Sequence, residues 1–123
     1  MSIEFNITTA NEFFLGEDKE IAWQIFGPDD QTPINISGWP LEFTLKKTDK
    51  SADAILTKTI GDGLEISGLF AATAETNAQR VVATFSSADT ATLKPNTAYR
   101  YRVKRIDEGN VAVLAFGSLT FLP

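Results

Sequence analysis

A proline turn that leads into an alternating strand, between Leu93 and Val103, restricts the fold of this chain more than any other stretch. Leu93 and Pro95 stand at the turn, and Tyr99 follows the proline by four residues. At that spacing an aromatic ring can pack beneath the turn while its hydroxyl hydrogen-bonds the upstream backbone. The stretch therefore predicts a corner at which one strand of a layered β-structure begins.

Short alternating runs separated by turn residues recur along the rest of the chain, and no segment has a long helical period. Glycines at Gly61 and Gly63 predict a hairpin between two such runs. Residues 87–92 predict one short helical turn, with Ser86 or Ser87 as its cap. The length of 123 residues suits one domain. We therefore predict an all-β fold: a single Ig-like antiparallel β-sandwich of about eight strands over residues 1–123.

Two absences narrow the possible chemistry. The chain has no cysteine and no histidine, which removes thiolate nucleophiles, the commonest zinc ligand and the commonest general base. The net charge of −5 argues against nucleic-acid binding, which needs a basic excess. No apolar run reaches membrane-spanning length, and the N-terminal residues lack the features of a signal peptide. We expect no enzyme activity, no cofactor, no metal, no membrane partner and synthesis in the cytoplasm.

The corner stretch, together with Val103 and residues 108–110, resembles the last two strands of a fibronectin type III domain. A wider pattern resembles the Ig-like domains of tailed-bacteriophage virion proteins, in particular the N-terminal domain of baseplate upper proteins. The pattern comprises residues 16–18, 27–39, 41–47, 99–103 and 117–121. The resemblance implies a structural protein of the tail, baseplate or head–tail region, made in a bacterial host. Its expected location is the virion, and its expected partners are other virion proteins and further copies of itself.

The last strand is the strongest candidate for an interface, because both of its faces are apolar whereas a sandwich strand needs only one. Alternation predicts that one face carries Val111, Val113, Ala115, Leu119 and Phe121. The opposite face carries Leu114, Phe116 and Leu122, which another subunit would cover. The alternative is that the N-terminal segment with Phe13, Phe14 and Leu15 folds over them.

A basic stripe runs along the longest predicted strand. Arg100, Arg102 and Lys104 alternate there with tyrosines and a valine that point the other way. This stripe fits either an acidic patch of a partner or cross-strand ion pairs with Glu42 or another carboxylate of the same sheet.

A carbohydrate- or cell-surface-binding module is the alternative function, with Trp39, Asp29 and Asp30 as its site. Trp39 could form a platform for a sugar ring, although packing beneath its own turn is the simpler expectation. Asp29 and Asp30 lie in a proline-flanked turn, where they favour turn formation over calcium binding. A second acidic group, Glu17, Asp18 and Glu20, is expected to carry no catalysis.

Overall fold

The computed structural model describes residues 2–6, 13–26, 31–48, 50, 53–73, 75–107, 109 and 111–123. Strands dominate these ranges, which confirms the all-β prediction. The described strands are β1 (Ser2–Asn6), β2 (Phe13–Phe14), β3 (Lys19–Phe26), β4 (Leu41–Lys46), β5 (Leu56–Ile60), β6 (Gly63–Ser67), β7 (Arg80–Phe85), β8 (Ala98–Arg105) and β9 (Ala112–Leu122). The described residues contain one short helix, the single turn α1 (Ser87–Thr90).

The strands follow one another in the order β1-β3-β7-β6-β5-β4-β8-β9-β2. Six of the eight neighbouring pairs are antiparallel, whereas β5–β6 and β2–β9 are parallel. Strand β1 also lies near β9, so the sheet curves round into a nearly closed, sandwich- or barrel-like body.

Alternation puts the large apolar side chains inside this body. Trp23 of β3 and Phe43 of β4 are fully buried, and their rings lie 6.0 Å apart. Tyr101 of β8 packs 5.5 Å from the Trp23 ring, and the indole Nε1 donates to its hydroxyl over 3.4 Å. Burial raises the pKa of the Tyr101 phenol, so this buried hydroxyl stays neutral. Trp23 therefore belongs to the core.

The corner has the predicted geometry. The backbone N–H of Lys94 donates to the Tyr99 hydroxyl over 2.8 Å, and the Tyr99 side chain is buried. Asn96 turns the chain with a positive φ of 55°, a conformation that asparagine tolerates better than most residues. Its N–H donates to the Phe121 carbonyl over 2.8 Å, which ties the corner to β9.

Helical turn α1 is capped by Ser86, one of the two predicted caps. The Ser86 hydroxyl accepts from the Asp89 N–H, and the Asp89 carboxylate accepts from the Ser86 N–H over 2.8 Å. This reciprocal capping satisfies donors that a four-residue helix would otherwise leave open. The N–H of Gly16 donates to Thr90 Oγ1 over 2.8 Å, which attaches the turn to the chain before β3.

The predicted hairpin at residues 61–63 is wrong in its pairing. Strands β5 and β6 do flank these residues, but they meet through two register pairs and run parallel. A type I′ hairpin turn needs positive φ at two consecutive residues. Gly61 and Gly63 have φ values of 85° and 88°, but Asp62 between them does not share that conformation. The chain therefore enters β6 in the same direction in which it leaves β5, and no hairpin forms here.

Candidate functional site

The outward face of β4, β8 and β9 carries the most distinctive surface of the described chain. Inward residues of these strands are buried, so the residues between them project outward. We call this surface the basic face, and it comprises Lys46, Arg100, Arg102, Lys104, Val113 and Phe116. Four of these residues line an open depression of about 380 Å³: Arg100, Arg102, Val113 and Phe116.

Strand register fixes the position of each arginine. Arg102 lies between Thr44 of β4 and Phe116 of β9. Arg100 lies beside Ser118, and its Nη1 donates to the serine hydroxyl over 2.6 Å. Phe116, which alternation placed at an interface, is 62% exposed beside these cations. The structure thus brings together three of the predicted interface residues: Phe116, Arg100 and Arg102.

The prediction that Leu114 shares the outward face with Phe116 is wrong, because the Leu114 side chain is 1% exposed and belongs to the core. The register of β8 and β9 shifts between Val103 and Lys104, which face Ala115 and Val113 respectively. Leu114 is therefore the extra residue of a β-bulge, and the alternation of β9 changes phase at this point.

The same bulge overturns the prediction for the start of β9. Val111 and Val113 are 70% and 47% exposed, although strict alternation put them on the core side with Ala115. Val113 instead lies beside Phe116 on the basic face. This face therefore exposes two large apolar side chains, of which alternation predicted only Phe116.

Leu122 lies at the other end of β9 and is half-buried. It pairs with Phe14 of β2, and its carbonyl accepts from the Leu15 N–H over 2.8 Å. The N-terminal segment thus extends the edge of β9 instead of folding over Phe116, so the predicted alternative cover for Phe116 is wrong for the described residues. An interface role for Leu122 stays a prediction.

Cross-strand neighbours of the basic stripe agree only in part with the ion-pair interpretation. Glu42 does lie opposite Lys104. Lys46, however, lies opposite Arg100, and two like charges in register destabilise a sheet. Among its cross-strand neighbours on β4, the stripe therefore meets one carboxylate and one like charge.

The described part of the alternative ligand site is Trp39, which is partly covered. The Arg105 guanidinium stacks 4.0 Å from the centre of the Trp39 ring, and Trp39 packs partly against the core. Arg105 is held by Asp107 over 2.8 Å. One ring face of Trp39 is thus occupied by a cation–π contact, not open to a sugar. Asp29 and Asp30 lie outside the described residues.

The second acidic group has structural partners. Glu17 accepts from the Phe14 N–H over 3.3 Å and lies 3.6 Å from the Lys19 ammonium. Asp18 accepts from the Ser87 N–H over 2.8 Å, at the start of α1. In the part of the chain that the structure describes, no group of three or more acidic side chains is arranged to hold a metal ion.

The sequence did not predict the largely buried ion pair between Lys58 and Asp89. Lys58 of β5 is 7% exposed, and its Nζ lies 2.9 Å from Asp89 Oδ2 and 5.5 Å from the centre of the Phe85 ring. Partial burial alone would raise the pKa of Asp89, but the Ser86 N–H and the Lys58 ammonium hold it below its ordinary value. The signal in the sequence was a lysine two residues from Leu56 on an otherwise inward-facing position.

Within the described ranges, no helix has the length and apolar character needed to cross a membrane.

Comparisons with known proteins assign no relatives to this chain. No protein-family model matches the sequence, and neither the curated proteins nor the solved structures contain a match.

Proposed function

We propose that this chain is a non-enzymatic assembly protein of a bacteriophage virion that acts by docking to other proteins. The observation that carries the proposal is Phe116, a large aromatic side chain that is 62% exposed on β9 and lies in register with Arg102 of β8. Aromatic and arginine side chains that surround a shallow depression are typical of the energetically dominant part of protein interfaces.

An Ig-like sandwich is the fold we propose for this docking module. The order β1-β3-β7-β6 matches the A-B-E-D layer of Ig-like domains, and β5-β4-β8-β9 matches their C′-C-F-G layer. The hydrogen bond from the Lys94 N–H to the Tyr99 hydroxyl has the form of the tyrosine corner of such domains, which supports the proposal. Fold alone does not give a function, so this agreement supports only the scaffold.

The virion location comes from the resemblance of the turn and strand pattern to Ig-like domains of tailed phages. Carbohydrate binding is less well supported, since Arg105 already occupies one face of Trp39.

Mass spectrometry of purified particles tests the virion location. Particles of a phage that encodes this sequence should contain the chain in a fixed ratio to the major tail protein. Recovery from infected cells but not from particles would overturn the proposal. A glycan array with the purified chain tests the carbohydrate alternative, with Trp39→Ala as the matched variant, and should show no sugar binding that distinguishes the two proteins.

A further inference from the structure

Strand β2 is held on β9 by a short contact. It pairs with Phe121 and Leu122, and the N–H of the following residue, Leu15, donates to the Leu122 carbonyl over 2.8 Å. We call residues 13–15 the strap. Two paired residues make a marginal strand contact by themselves, so the strap needs further support to stay in place.

The chain directly after the strap is hydrogen-bonded to both ends of the helical turn α1. The Gly16 N–H donates to Thr90 Oγ1 over 2.8 Å, at the last residue of α1. The Ser87 N–H, at the first residue of α1, donates to Asp18 Oδ1 over 2.8 Å. Thr90 is 1% exposed, so little water competes for its hydroxyl. These two contacts set the position of residues 16–18 against α1.

Helical turn α1 is itself anchored in the sheet. Lys58 of β5 is 7% exposed, and its ammonium lies 2.9 Å from Asp89 Oδ2. The same carboxylate oxygen accepts from the Ser86 N–H over 2.8 Å, so one side chain both caps α1 and binds it to β5. A helix of four residues is too short to be stable alone, so this anchor helps to determine where α1 lies.

These contacts form one continuous path from β5 to the edge of β9. In the strand order β5 and β9 are separated by β4 and β8, so the path through α1 is a second connection, outside the sheet. It runs from Lys58 through Asp89 to α1, and from Thr90 through Gly16 to the strap.

The pairing of β3 offers an alternative support for the strap. Residues 16–18 separate the strap from β3, which begins with Lys19 in register with Phe85 of β7. If this pairing alone held the strap, changes in α1 or β5 would not affect it. Both of the hydrogen bonds described above run from residues 16–18 to α1, which favours α1 over β3 as the support.

We infer that α1 acts as a latch for the strap: Lys58 fixes α1 through Asp89, and α1 fixes the strap on β9. While the latch is intact, the backbone edge of β9 at Leu122 stays covered. Loosening of α1 would release the strap and open this edge, which is the kind of site where another extended chain can pair.

Amide hydrogen exchange at Leu15, followed by NMR, reports how often the strap opens. Its N–H is bonded to Leu122, which none of the variants below alters. In the wild type this amide should exchange faster than the amides of β8, because local opening of a short contact costs less than unfolding of the sheet. Exchange at Leu15 as slow as in β8 would mean that the strap does not open separately, and would overturn the inference.

Two variants interrupt the latch at different places. Thr90→Val removes the acceptor of the Gly16 N–H at similar side-chain volume, and Lys58→Met removes the ammonium that holds Asp89. Each should speed exchange at Leu15 by roughly two- to tenfold, the factor that corresponds to the net contribution of one hydrogen bond. An unchanged rate in either variant would rule out the latch, since β3 or the core contact of Leu15 would then hold the strap.

The double variant tests whether Thr90 and Lys58 act along one path. If they do, exchange at Leu15 in the double variant will be slower than the product of the two single effects predicts. Two effects that simply multiply would mean two independent supports, which is incompatible with a single latch.

Matched controls separate the latch from general destabilisation. Thr92→Val and Lys94→Met make the same changes at exposed residues just beyond α1 and should leave exchange at Leu15 unchanged. Thr90→Ser keeps the hydroxyl and should exchange like the wild type, whereas a rate equal to that of Thr90→Val would contradict the role of the hydrogen bond. Circular dichroism checks folding, and Lys58→Gln replaces Lys58→Met if the latter does not fold.

Discussion

Lys58 Nζ lies 2.9 Å from Asp89 Oδ2, which joins a nearly buried lysine of β5 to the first turn of α1. Replacement by Lys58→Met should lower the free energy of unfolding by about 1–3 kcal/mol, since the carboxylate loses its charged partner in a partly buried site. Urea unfolding measures the loss. Lys94→Met, at an exposed lysine, is the control and should change the free energy by less than about 0.5 kcal/mol.

The Lys58–Asp89 pair also makes the free energy of unfolding depend on pH. The folded-state pKa of Asp89 is lowered from 3.8, so between the two values the unfolded chain binds a proton that the folded chain does not. The stabilisation by Asp89 is complete above pH 3.8 and is lost as the pH falls through the lowered pKa. We expect Asp89→Asn to be less stable than the wild type at neutral pH, with a gap that shrinks on acidification. A gap that stays constant down to about pH 2 would contradict this assignment.

The corner hydrogen bond is testable by removing one oxygen. Tyr99→Phe leaves the Lys94 N–H without its acceptor and should cost about 1–2 kcal/mol of unfolding free energy. Thr97→Val removes a hydroxyl from the same turn that bonds the Pro95 carbonyl over 3.2 Å at an exposed site. Its cost should be smaller, and equal costs for the two variants would count against a special role for Tyr99.

The bulge in β9 predicts opposite behaviour for neighbouring apolar residues. Leu114→Ala should destabilise the protein by about 2–5 kcal/mol, because it opens a cavity in the core. Phe116→Ala, two positions along, should change stability by less than about 0.5 kcal/mol, since its side chain is largely exposed. Thermal and urea unfolding compare them, and a reversed order would mean that the bulge is misplaced.

Alanine variants at Gly61 and Gly68, which have similar φ values, distinguish the cost of backbone strain from the cost of a steric collision. Gly61→Ala places a Cβ in open space and should cost about 1 kcal/mol for the left-handed conformation alone. Gly68→Ala adds a collision with the Ala78 carbonyl, which cannot move like a flexible side chain. Its cost should be clearly larger in urea unfolding, and equal costs would contradict the close approach of these backbones.

Local patterns predicted the regular parts of the fold. Alternation predicted the strand that became β8, with its tyrosines and valine facing away from the basic stripe, and the spacing from Pro95 to Tyr99 predicted the corner contact. These features depend on neighbours in sequence, so a reading along the chain can find them.

Features that depend on distant strands were missed. The bulge at Leu114 follows from how β9 pairs with β8, and no local residue pattern marked it. The Lys58–Asp89 pair joins residues 31 positions apart, so neither residue alone indicates it. For the candidate site, alternation identified Phe116, Arg100 and Arg102, but it placed Val113 on the wrong side of the bulge.

The short parallel pair between β2 and β9 has a mechanical consequence. Because the two strands run in the same direction, a load applied between the chain before β2 and the chain after β9 pulls them along their length in opposite senses. Both register pairs, at Phe121 and Leu122, must then break together instead of opening one after the other. This two-residue pair would resist such a shearing load more than its size suggests.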